Sequence, residues 1–425
     1  MFLFTKHISN RHGFVARLLS DRLGIPVKWV DDPEYLNSDA DVVVYDSEPY
    51  GGRLTIYDSG FLSEKGLRDQ APEFKMQLFP ANGNFIFDFD LFSAVFYVVS
   101  RYEEYFKNDP DKHGRFKPEK SYLYTQNLLN IPIADEWIYR FGKLLTEHFE
   151  ITLNPPQFRL QPTIDVDVAY AYLGRPFWLT LAGYARDVMN RRFKLAAERF
   201  RVNTGLKKDP YDTYNEFKKL CAENSVKPAF FFQLGTRDKY DKNLYPLQPL
   251  MTNLINDTAE WAELGIHPSY RSNDVPDSLQ YEMNLFHRIV NMKPTCSRQH
   301  YLRFSLPETF QRLAAHGVEK EYSMGYAHVT GFRAGTCHPF PFFDLTTNTE
   351  TELIIKPFVL MDGTLKDHLK LGVEEAKMQI EQLIKTTRNY HGEFIFIWHN
   401  SSLDGPGDWQ NWYQVLEHIF KVSVK

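Results

Sequence analysis

The length and composition of the chain exclude several classes of protein. Its 425 residues exceed what one hydrophobic core normally holds, so they predict two domains or one enlarged domain. Hydrophobic residues make up 43% of the chain and charged residues 24%, and 49 basic against 54 acidic residues give a net charge of −5. These values are those of an ordinary globular protein, and they argue against disorder, collagen and a general nucleic-acid-binding surface.

Cysteine usage and apolar runs bear on the compartment. The three cysteines, Cys221, Cys296 and Cys337, are odd in number and too few for a disulfide framework, which favours a reducing compartment. The first residues, MFLFTKHISNRHGF, lack the apolar core of a signal peptide. The longest apolar stretches, such as residues 92–99, are roughly half of the ~20 residues that a membrane span needs. We therefore expect a soluble, cytoplasmic protein.

The first part of the chain, up to residue 155, predicts a small α/β unit. Short β-like runs occur at residues 42–45 and 53–57. Apolar residues recur at helical spacing from residue 90 to 105, behind an aspartate that can cap the first turn, and a second helix is predicted at 135–148. Asn-Pro-Pro at 154–156 then interrupts regular structure, and we place a domain boundary there.

Beyond this boundary, strand and helix patterns alternate. Such alternation predicts parallel strands joined by helical crossovers, in either a barrel or a doubly wound sheet. The predicted elements are strand 158–164, helix 213–224, strand 229–233, a helix with an Asp257, Glu260 capping box that ends at Gly265, helix 277–291, strand 297–304, a helix after Ser305, helix 365–390 and strand 394–398.

A basic insertion interrupts the alternation at about residues 171–211. Its stretch from residue 186 to 208 holds eight Lys or Arg and two acids, and it follows the apolar side chains of Trp178, Leu179 and Leu181. Two interpretations stay open: a solvated helical face on the surface, and a lid or membrane-surface helix. The second interpretation predicts peripheral membrane contact through the insertion.

Polar residues follow five of the predicted strands. In parallel α/β folds the carboxyl ends of the strands meet on one face, where functional side chains gather. The five strand ends carry Asp165 and Asp167, His267 and Tyr270, Arg298 and His300, Arg333, and Trp398 with His399. Helix caps, structural histidines, a surface salt bridge and a tight turn are the alternative explanations for these residues taken singly. Together they favour one shared site.

The spacing within these ends suggests chemical roles. Asp165 and Asp167 lie two residues apart, so they project to the same face, where one can hold a metal and the other act as a base. Arg298 and His300 have the same spacing, and a guanidinium can hold a carboxylate bidentately. His399 ends the last strand, at a position suited to a general acid.

These motifs resemble those of the polysaccharide deacetylases of carbohydrate esterase family 4, the NodB-homology family, over about residues 158–404. TIDVD at 163–167 is similar to the family's TFDDG, which implies that Asp165 is the catalytic base and Asp167 a metal ligand. HPSYR at 267–271 is similar to H-S-x-x-H. His267 therefore matches the first metal-binding histidine, whereas Arg271 stands at the position of the second.

The last two family motifs complete the resemblance. RQHY at 298–301 is similar to R-x-P-Y-G, which implies that Arg298 orients the base, and we assign His300 as the replacement metal ligand. The final motif corresponds to Trp398 and His399, which makes His399 the catalytic acid. The residues expected to contact the substrate are Tyr270, Arg271, Arg333 and Trp398.

The amino-terminal part resembles the accessory domain that precedes such deacetylase domains in a bacterial subgroup associated with surface polysaccharides. The similar stretches are FDLFSAVFYVVSRYEEY, KHGRF and PIADEW, and GFRAGT at 331–336 is typical of the same subgroup. We therefore expect an accessory α/β domain over residues 1–155. The resemblance implies a distorted (β/α) barrel of the polysaccharide deacetylase type over residues 156–425.

The resemblance implies a metal-dependent hydrolase that removes an N-acetyl group from a sugar of a surface polysaccharide or its precursor. The cofactor would be a divalent metal, zinc, with cobalt and manganese as the other candidates, and the partner an N-acetylated carbohydrate rather than a nucleic acid. Two alternatives keep the same fold. One is a hydrolase of a small non-peptide amide, which Arg271 favours, and the other is a catalytically silent carbohydrate-binding or assembly protein.

Overall fold

The computed structural model describes residues 1–38, 40–68, 85–106, 109–403 and 409–423. These residues form thirteen strands and twelve α-helices. The strands are β1 (Phe2–Phe4), β2 (Lys28–Val30), β3 (Val42–Asp46), β4 (Thr55–Tyr57), β5 (Arg159–Val166), β6 (Ala229–Phe232), β7 (Glu263–Ile266), β8 (Cys296–Ser297), β9 (Lys320–Glu321), β10 (Phe340–Asp344), β11 (Thr349–Ile355), β12 (Leu360–Met361) and β13 (Glu393–His399). The helices are α1 (Asn10–Leu23), α2 (Leu91–Val99), α3 (Tyr122–Thr125), α4 (Ile133–Phe149), α5 (Phe177–Met189), α6 (Phe193–Asn203), α7 (Tyr214–Glu223), α8 (Pro249–Ala259), α9 (Pro276–Val290), α10 (Glu308–Ala315), α11 (Val373–Asn389) and α12 (Tyr413–Ser423).

The first four strands form a small parallel sheet in the order β2-β1-β3-β4. Helices α1, α2 and α4 pack against one another beside it. Asp90 accepts a hydrogen bond from the Ser93 backbone and starts α2, as the sequence predicts. The helix is shorter than predicted because Arg101 adopts a left-handed conformation, with φ of 55°, which ends the helical run.

The other nine strands form one sheet in the order β10-β11-β9-β8-β7-β6-β5-β13-β12. Every pair in it is parallel except β10 with β11. The predicted alternation of parallel strands and helices is therefore confirmed. The antiparallel β10–β11 hairpin at one edge is an addition that the sequence pattern did not predict.

The large sheet curves around a small apolar interior. Ala229 and Phe231 of β6, Cys296 of β8, and Ile395 and Ile397 of β13 pack into one cluster, so the same face of several strands points inward. Within the described residues, the edge strands β12 and β10 do not pair with each other. The mixed α/β class is confirmed, but among the described residues the strands do not close into a barrel.

A large hydrophobic core runs between the two sheets. Phe343 of β10 lies 5.2 Å from the Phe14 ring of α1 and 5.0 Å from the Phe96 ring of α2, measured between ring centroids. The apolar contact between the two parts of the chain is therefore extensive. The division of the chain at residue 155 remains a prediction.

Three predicted elements differ from the structure. Asp257 lies in the last turn of α8 and Glu260 directly follows the helix, so the two do not form a capping box, and residues 263–266 form a strand. Strand β8 has only two residues, because the chain turns at residue 300. The long helix predicted at 365–390 divides into a π-helical turn at Thr364–His368 and α11. Among the described residues, we find no helix with both the length and the apolarity needed to cross a bilayer.

Candidate active site

A cavity of about 440 Å³ opens at the carboxyl ends of the large sheet. It is lined by the polar residues that follow strands β5, β7, β8 and β13, among them Asp165, Asp167, His267, His300 and His399. Strands β5 and β13 are neighbours, and their register pairs Asp165 with His399. The structure thus brings all five of these predicted residues into one cavity.

Asp167, His267 and His300 form a compact donor cluster. Oδ1 of Asp167 lies 3.1 Å from Nε2 of His267 and 3.5 Å from Nε2 of His300. One ligand atom from each residue lies within 4.8 Å of the other two. Oδ1 of Asp167 is buried and has no hydrogen-bond partner among the described residues. One oxygen and two imidazole nitrogens that converge in this way suit zinc or a related divalent cation.

The two imidazoles are oriented by hydrogen bonds at their other nitrogens. Nδ1 of His267 lies 2.5 Å from the backbone oxygen of Arg298, and Nδ1 of His300 lies 2.7 Å from Oδ1 of Asp241. With the proton on Nδ1 in each ring, both Nε2 lone pairs face Asp167. Such a backbone oxygen or carboxylate behind a ligand histidine fixes its tautomer and is typical of metal sites. Asp241 is a positioning residue that the sequence analysis did not identify.

Asp167 and the imidazoles around it favour each other's charged forms. Burial opposes ionisation of this carboxylate, but the imidazoles of His300, His267 and His399 outweigh it and hold the pKa of Asp167 well below its usual range. Burial likewise opposes the imidazolium of His300, but Asp167 and Asp241 raise the pKa of His300 to about 9. A proton and a divalent cation would therefore compete for Nε2 of His300.

Asp165 is held by Arg298 on the inner face of the sheet. Nη1 of Arg298 lies 3.0 Å from Oδ1 of Asp165, and it also donates to Oγ1 of Thr163 at 2.7 Å. Oδ2 of Asp165 lies 4.0 Å from Nε2 of His267, which places this oxygen beside the donor cluster. The arginine therefore engages one carboxylate oxygen and leaves the other toward the cavity.

The guanidinium of Arg298 is fixed from below by the apolar interior. It is completely buried and lies 4.8 Å from the centroid of Phe231 and 5.6 Å from that of Phe358. Its Nε donates to the backbone oxygen of Tyr322 at 3.0 Å. Arg298 therefore does not form the surface salt bridge that was the alternative explanation for it. Because the guanidinium is held in place by these contacts, it fixes the rotamer of Asp165.

His399 approaches the other carboxylate oxygen of Asp167, the one that His267 and His300 do not face. Its Nε2 lies 3.7 Å from Oδ2 of Asp167, and its Nδ1 lies 2.8 Å from Oδ1 of Asp362. Burial opposes the charged imidazole, but Asp362, followed by Asp167 and Asp165, raises the pKa of His399 to about 10. Asp362 follows β12 and was not identified from the sequence, because a lone aspartate before a glycine is also an ordinary turn signal.

Aromatic and basic side chains line the rim of the cavity. Tyr240, Tyr301, Trp409 and Arg115 all contribute to its wall, and none was predicted to do so. Arg115 comes from the amino-terminal part of the chain and donates to the backbone oxygen of Tyr301 at 2.9 Å. The KHGRF stretch therefore reaches the cavity.

Three predicted substrate contacts lie outside the cavity wall. Trp398 is fully buried and packs against Phe396 and Trp412, because alternation along β13 turns it away from the face that carries His399. Arg271 is exposed on a short 3-10 helix. Tyr270 lies just behind the rim, where its ring stacks 4.1 Å from Tyr240 and beneath the guanidinium of Arg303.

Arg333, the fourth predicted substrate contact, lies in a buried ion pair between the two parts of the chain. Its Nη2 lies 2.5 Å from Oε2 of Glu104, and Arg101 approaches the same carboxylate at 2.7 Å. All three side chains are almost completely buried. The glycines of GFRAGT therefore accompany an arginine that contacts the amino-terminal stretch RYEEY rather than the cavity.

A second group of possible metal ligands, Asp135, Cys337 and His338, has a structural explanation. Oδ1 of Asp135 accepts from Arg22 at 2.9 Å and from Thr336 at 2.8 Å, and Oδ2 accepts from the Cys337 backbone at 2.8 Å. Both carboxylate oxygens are therefore already engaged. The PIADEW and GFRAGT stretches meet here and hold the two parts of the chain together.

Comparisons with known proteins give a partial picture. Residues 1–150 match the model of a family of unknown function, DUF7033. A search of curated protein sequences returns no match. Solved structures that resemble the chain include a Mycobacterium smegmatis protein assigned as a polysaccharide deacetylase, at 14% identity and a TM-score of 0.41, covering 63% of this chain and 84% of that one.

Two further structures cover the same share of this chain. They are PuuE allantoinase, at 11% identity and a TM-score of 0.39 over 87% of its length, and the Bacillus anthracis protein BA3943, described as a carbohydrate esterase family 4 pseudoenzyme, at 12% identity and a TM-score of 0.32 over 62% of its length. The neighbours thus include hydrolases and a pseudoenzyme.

Proposed function

We propose that the chain is a metal-dependent hydrolase that removes an N-acetyl group from a sugar. The observation that carries the proposal is the convergence of Asp167, His267 and His300 beside both Asp165 and His399. A donor cluster flanked by a carboxylate and an imidazole is what hydrolysis of an amide requires, because water must lose a proton and the leaving nitrogen must gain one.

Asp167, His267 and His300 would hold the divalent cation, with His300 in the role that the family motif gives to a second histidine. When bound, such a cation polarises a carbonyl oxygen and lowers the pKa of water. Arg271 need not supply a ligand, since His300 already completes the set. The departure at Arg271 therefore no longer favours a small-amide substrate.

Asp165 would act as the base. Arg298 donates to its Oδ1 and leaves Oδ2 beside the donor cluster, so that this oxygen is available to accept a proton from water. The fixed position of Arg298 keeps the base aligned between turnovers.

His399 would act as the acid. Its Nδ1 is held by Asp362, so its Nε2 carries the proton that faces the cavity. Donation of that proton to the departing nitrogen converts it to an amine and lets the carbon–nitrogen bond break. Asp362 would stabilise the imidazolium before the transfer and orient the ring for it.

The rim supports a carbohydrate as the substrate. The rings of Tyr240, Tyr301 and Trp409 line the cavity wall, where aromatic side chains would pack against a sugar ring. The polar groups deeper in the cavity would receive the N-acetyl substituent.

Metal content and acetate release would test the proposal together. Elemental analysis of the purified protein should find near-stoichiometric zinc, cobalt or manganese, and Asp167→Ala and His267→Ala should lose it. His287→Ala, at an exposed position on α9, is the matched control. Acetate release should then be measured on chitooligosaccharides and other N-acetylated glycans, with small cyclic amides assayed in parallel.

The outcomes separate the hypotheses. Metal that stays bound in both variants would overturn the assigned ligand set. Hydrolysis of cyclic amides without acetate release would replace the substrate class. Glycan binding without any hydrolysis, unchanged by Asp165→Asn, would indicate a silent carbohydrate-binding protein.

A further inference from the structure

The basic insertion forms a helical hairpin beside the active-site cavity. Helices α5 and α6 are joined by residues 190–192 and pack against each other. The buried ion pair of Asp187 with Arg199, at 2.8 Å, joins the two helices. We call this unit, residues 177–203, the α5–α6 hairpin.

A second cavity, of about 640 Å³, lies beneath this hairpin. Its charged lining consists of six cations and a single acid: Arg175, Arg186, Arg192, Arg199, Arg237 and Lys242, with Asp187. Lys242 and Val168 also line the active-site cavity, so the two cavities share a wall. We call the second one the cationic cavity.

The acids near the cationic cavity are already engaged. Asp187 pairs with Arg199, and Asp209 accepts the backbone N–H groups of Ala171, Tyr172, Leu173 and Tyr211. Arg175, Arg192, Arg237 and Lys242 form no ion pair with any of the residues that the structure describes. Burial lowers the pKa of Arg175, and the nearby cations Arg237 and Arg199 lower it further because they oppose its positive charge.

We propose that the cationic cavity binds a phosphate or diphosphate group carried by the substrate. The guanidinium groups of Arg175, Arg192 and Arg237, which line the cavity and have no ion-pair partner among the described residues, match the multiple oxygens of a phosphate, to which arginine donates in pairs. The shared wall sets this group next to the sugar in the active-site cavity. The inference deepens the proposed function, because it names the substrate as a sugar joined to a phosphate or diphosphate.

Calorimetric titration with inorganic pyrophosphate tests the cationic cavity without any assay of hydrolysis. Arg175→Gln and Arg237→Gln should each weaken binding about tenfold. Lys219→Gln, an exposed change on α7, is the control that should not. His267→Ala should retain binding, because pyrophosphate held by a metal in the active site would be lost in that variant.

Three results would overturn this inference. They are no binding of pyrophosphate, binding that is unchanged in both arginine variants, and binding that is lost in His267→Ala alone. Titration with dihexanoylphosphatidylglycerol distinguishes the source of the phosphate. Binding of that lipid headgroup in place of pyrophosphate would refute a substrate phosphate, while the proposed deacetylase activity would stand or fall separately.

A different observation concerns the outer face of the same hairpin. Of the seventeen large hydrophobic side chains that are exposed among the described residues, eight lie between residues 177 and 206. They are Phe177, Trp178, Leu181, Val188, Met189, Phe193, Phe200 and Leu206. The side chains of Phe177 and Met189 are 81% and 82% exposed, so almost none of their apolar surface is covered by the rest of the protein.

These side chains share faces of their helices. At 3.6 residues per turn, Phe177, Trp178, Leu181, Val188 and Met189 fall on one side of α5. Phe193 and Phe200 are likewise seven residues apart on one side of α6. A continuous apolar face of this kind marks a docking surface.

Basic side chains accompany this apolar face. Arg191, Lys194 and Arg201 form no ion pair with a described residue, and residues 186–208 hold eight basic residues against two acids in a chain of net charge −5. An anionic lipid surface complements both features at once, since apolar side chains enter the acyl boundary while the basic ones meet the headgroups. Docking of the same hairpin from a second copy of the chain would instead bring like charges together.

We propose that the α5–α6 hairpin docks the protein on an anionic bilayer. Sedimentation with vesicles of phosphatidylglycerol and phosphatidylcholine tests it. The wild type should bind mixed vesicles at low salt and release from them as salt is raised, and pure phosphatidylcholine should bind weakly. Phe177→Ser with Met189→Ser, and separately Arg191→Glu with Lys194→Glu, should each reduce binding roughly tenfold.

Met292→Ser with Met378→Ser is the matched control, since both methionines are similarly exposed outside the hairpin. Absence of vesicle binding, or binding that both hairpin variants retain, would overturn the proposal. A dimer in analytical ultracentrifugation that the Phe177, Met189 variant abolishes would also overturn it, because the face would then be covered by a second copy.

Discussion

Asp241 lies directly behind His300, with its Oδ1 2.7 Å from the imidazole Nδ1. The same oxygen accepts the backbone N–H of Tyr270 at 3.0 Å, so the carboxylate ties the loop after β6 to the loop after β7. His300 is thereby held with its Nε2 toward Asp167. His300, the third proposed ligand, depends on this contact for the orientation of its ring. Its position in the sequence differs from that of the second histidine in the family motif.

Asp241→Asn should therefore weaken metal binding roughly tenfold to a hundredfold while the fold is retained. The physical reason is that the amide is uncharged and supports the Nδ1–H tautomer of His300 less well. Competition with a chelator measures the affinity, and the absorption spectrum of the cobalt-substituted protein reports ligand geometry. Asp238→Asn, on the exposed surface of the same loop, is the control, and equal affinities in the two variants would refute the positioning role.

Asp165→Asn should reduce turnover about a hundredfold to ten-thousandfold and leave metal content unchanged. The amide cannot accept the proton from water, whereas Asp167, His267 and His300 are untouched. Steady-state acetate release alongside elemental analysis measures both quantities. Asp367→Asn, an exposed aspartate in the same cavity wall, should retain activity. Near-normal turnover in the Asp165 variant would show that the base is another group.

Glu104→Gln should destabilise the protein by ~3 kcal/mol or more, because it leaves Arg333 buried with only a neutral partner and removes one of the two carboxylates that pair with Arg101. Urea unfolding measures the free energy of unfolding. Glu64→Gln, which breaks an exposed pair with Arg68, should cost less than about 1 kcal/mol. The KM of the Glu104 variant should match that of the wild type. A raised KM at unchanged stability would instead indicate that Arg333 binds the substrate.

His12 in α1 should make the folded state less stable as the pH falls. Burial lowers the pKa of His12 to about 4, and its Nε2 has no hydrogen-bond partner among the described residues. Because the folded pKa lies below the unfolded value of ~6.5, the unfolded state binds the proton first, and stability declines between those values by up to ~3 kcal/mol.

His12→Gln should remove this component of the pH dependence. Urea unfolding at several pH values from 7 to 4 measures it, and His7→Gln, at an exposed position, is the control. Parallel stability curves for the wild type and the His12 variant would contradict the assignment.

The sequence by itself determined the alternation of strands and helices and the five polar residues Asp165, Asp167, His267, His300 and His399 of the cavity. Asp165, Asp167 and His399 lie at or just after the ends of β5 and β13, and parallel strands bring such ends to one edge of a sheet. Their spacing of two, or their place at the end of a buried run, is a local pattern. Local patterns of this kind can be read without knowing what lies across the sheet.

Only the tertiary structure decided the environment of the remaining residues. Trp398 and His399 are adjacent in sequence, yet the pleat of β13 buries one against Trp412 and turns the other into the cavity. Arginine is a residue type that often binds substrates, but Arg333 pairs instead with Glu104, which lies 229 positions away in the chain. Asp241 and Asp362 likewise acquire their roles from histidines 59 and 37 residues distant. Long-range contacts such as these depend on chain packing, because side-chain pairing across the fold leaves no periodic signal in the sequence.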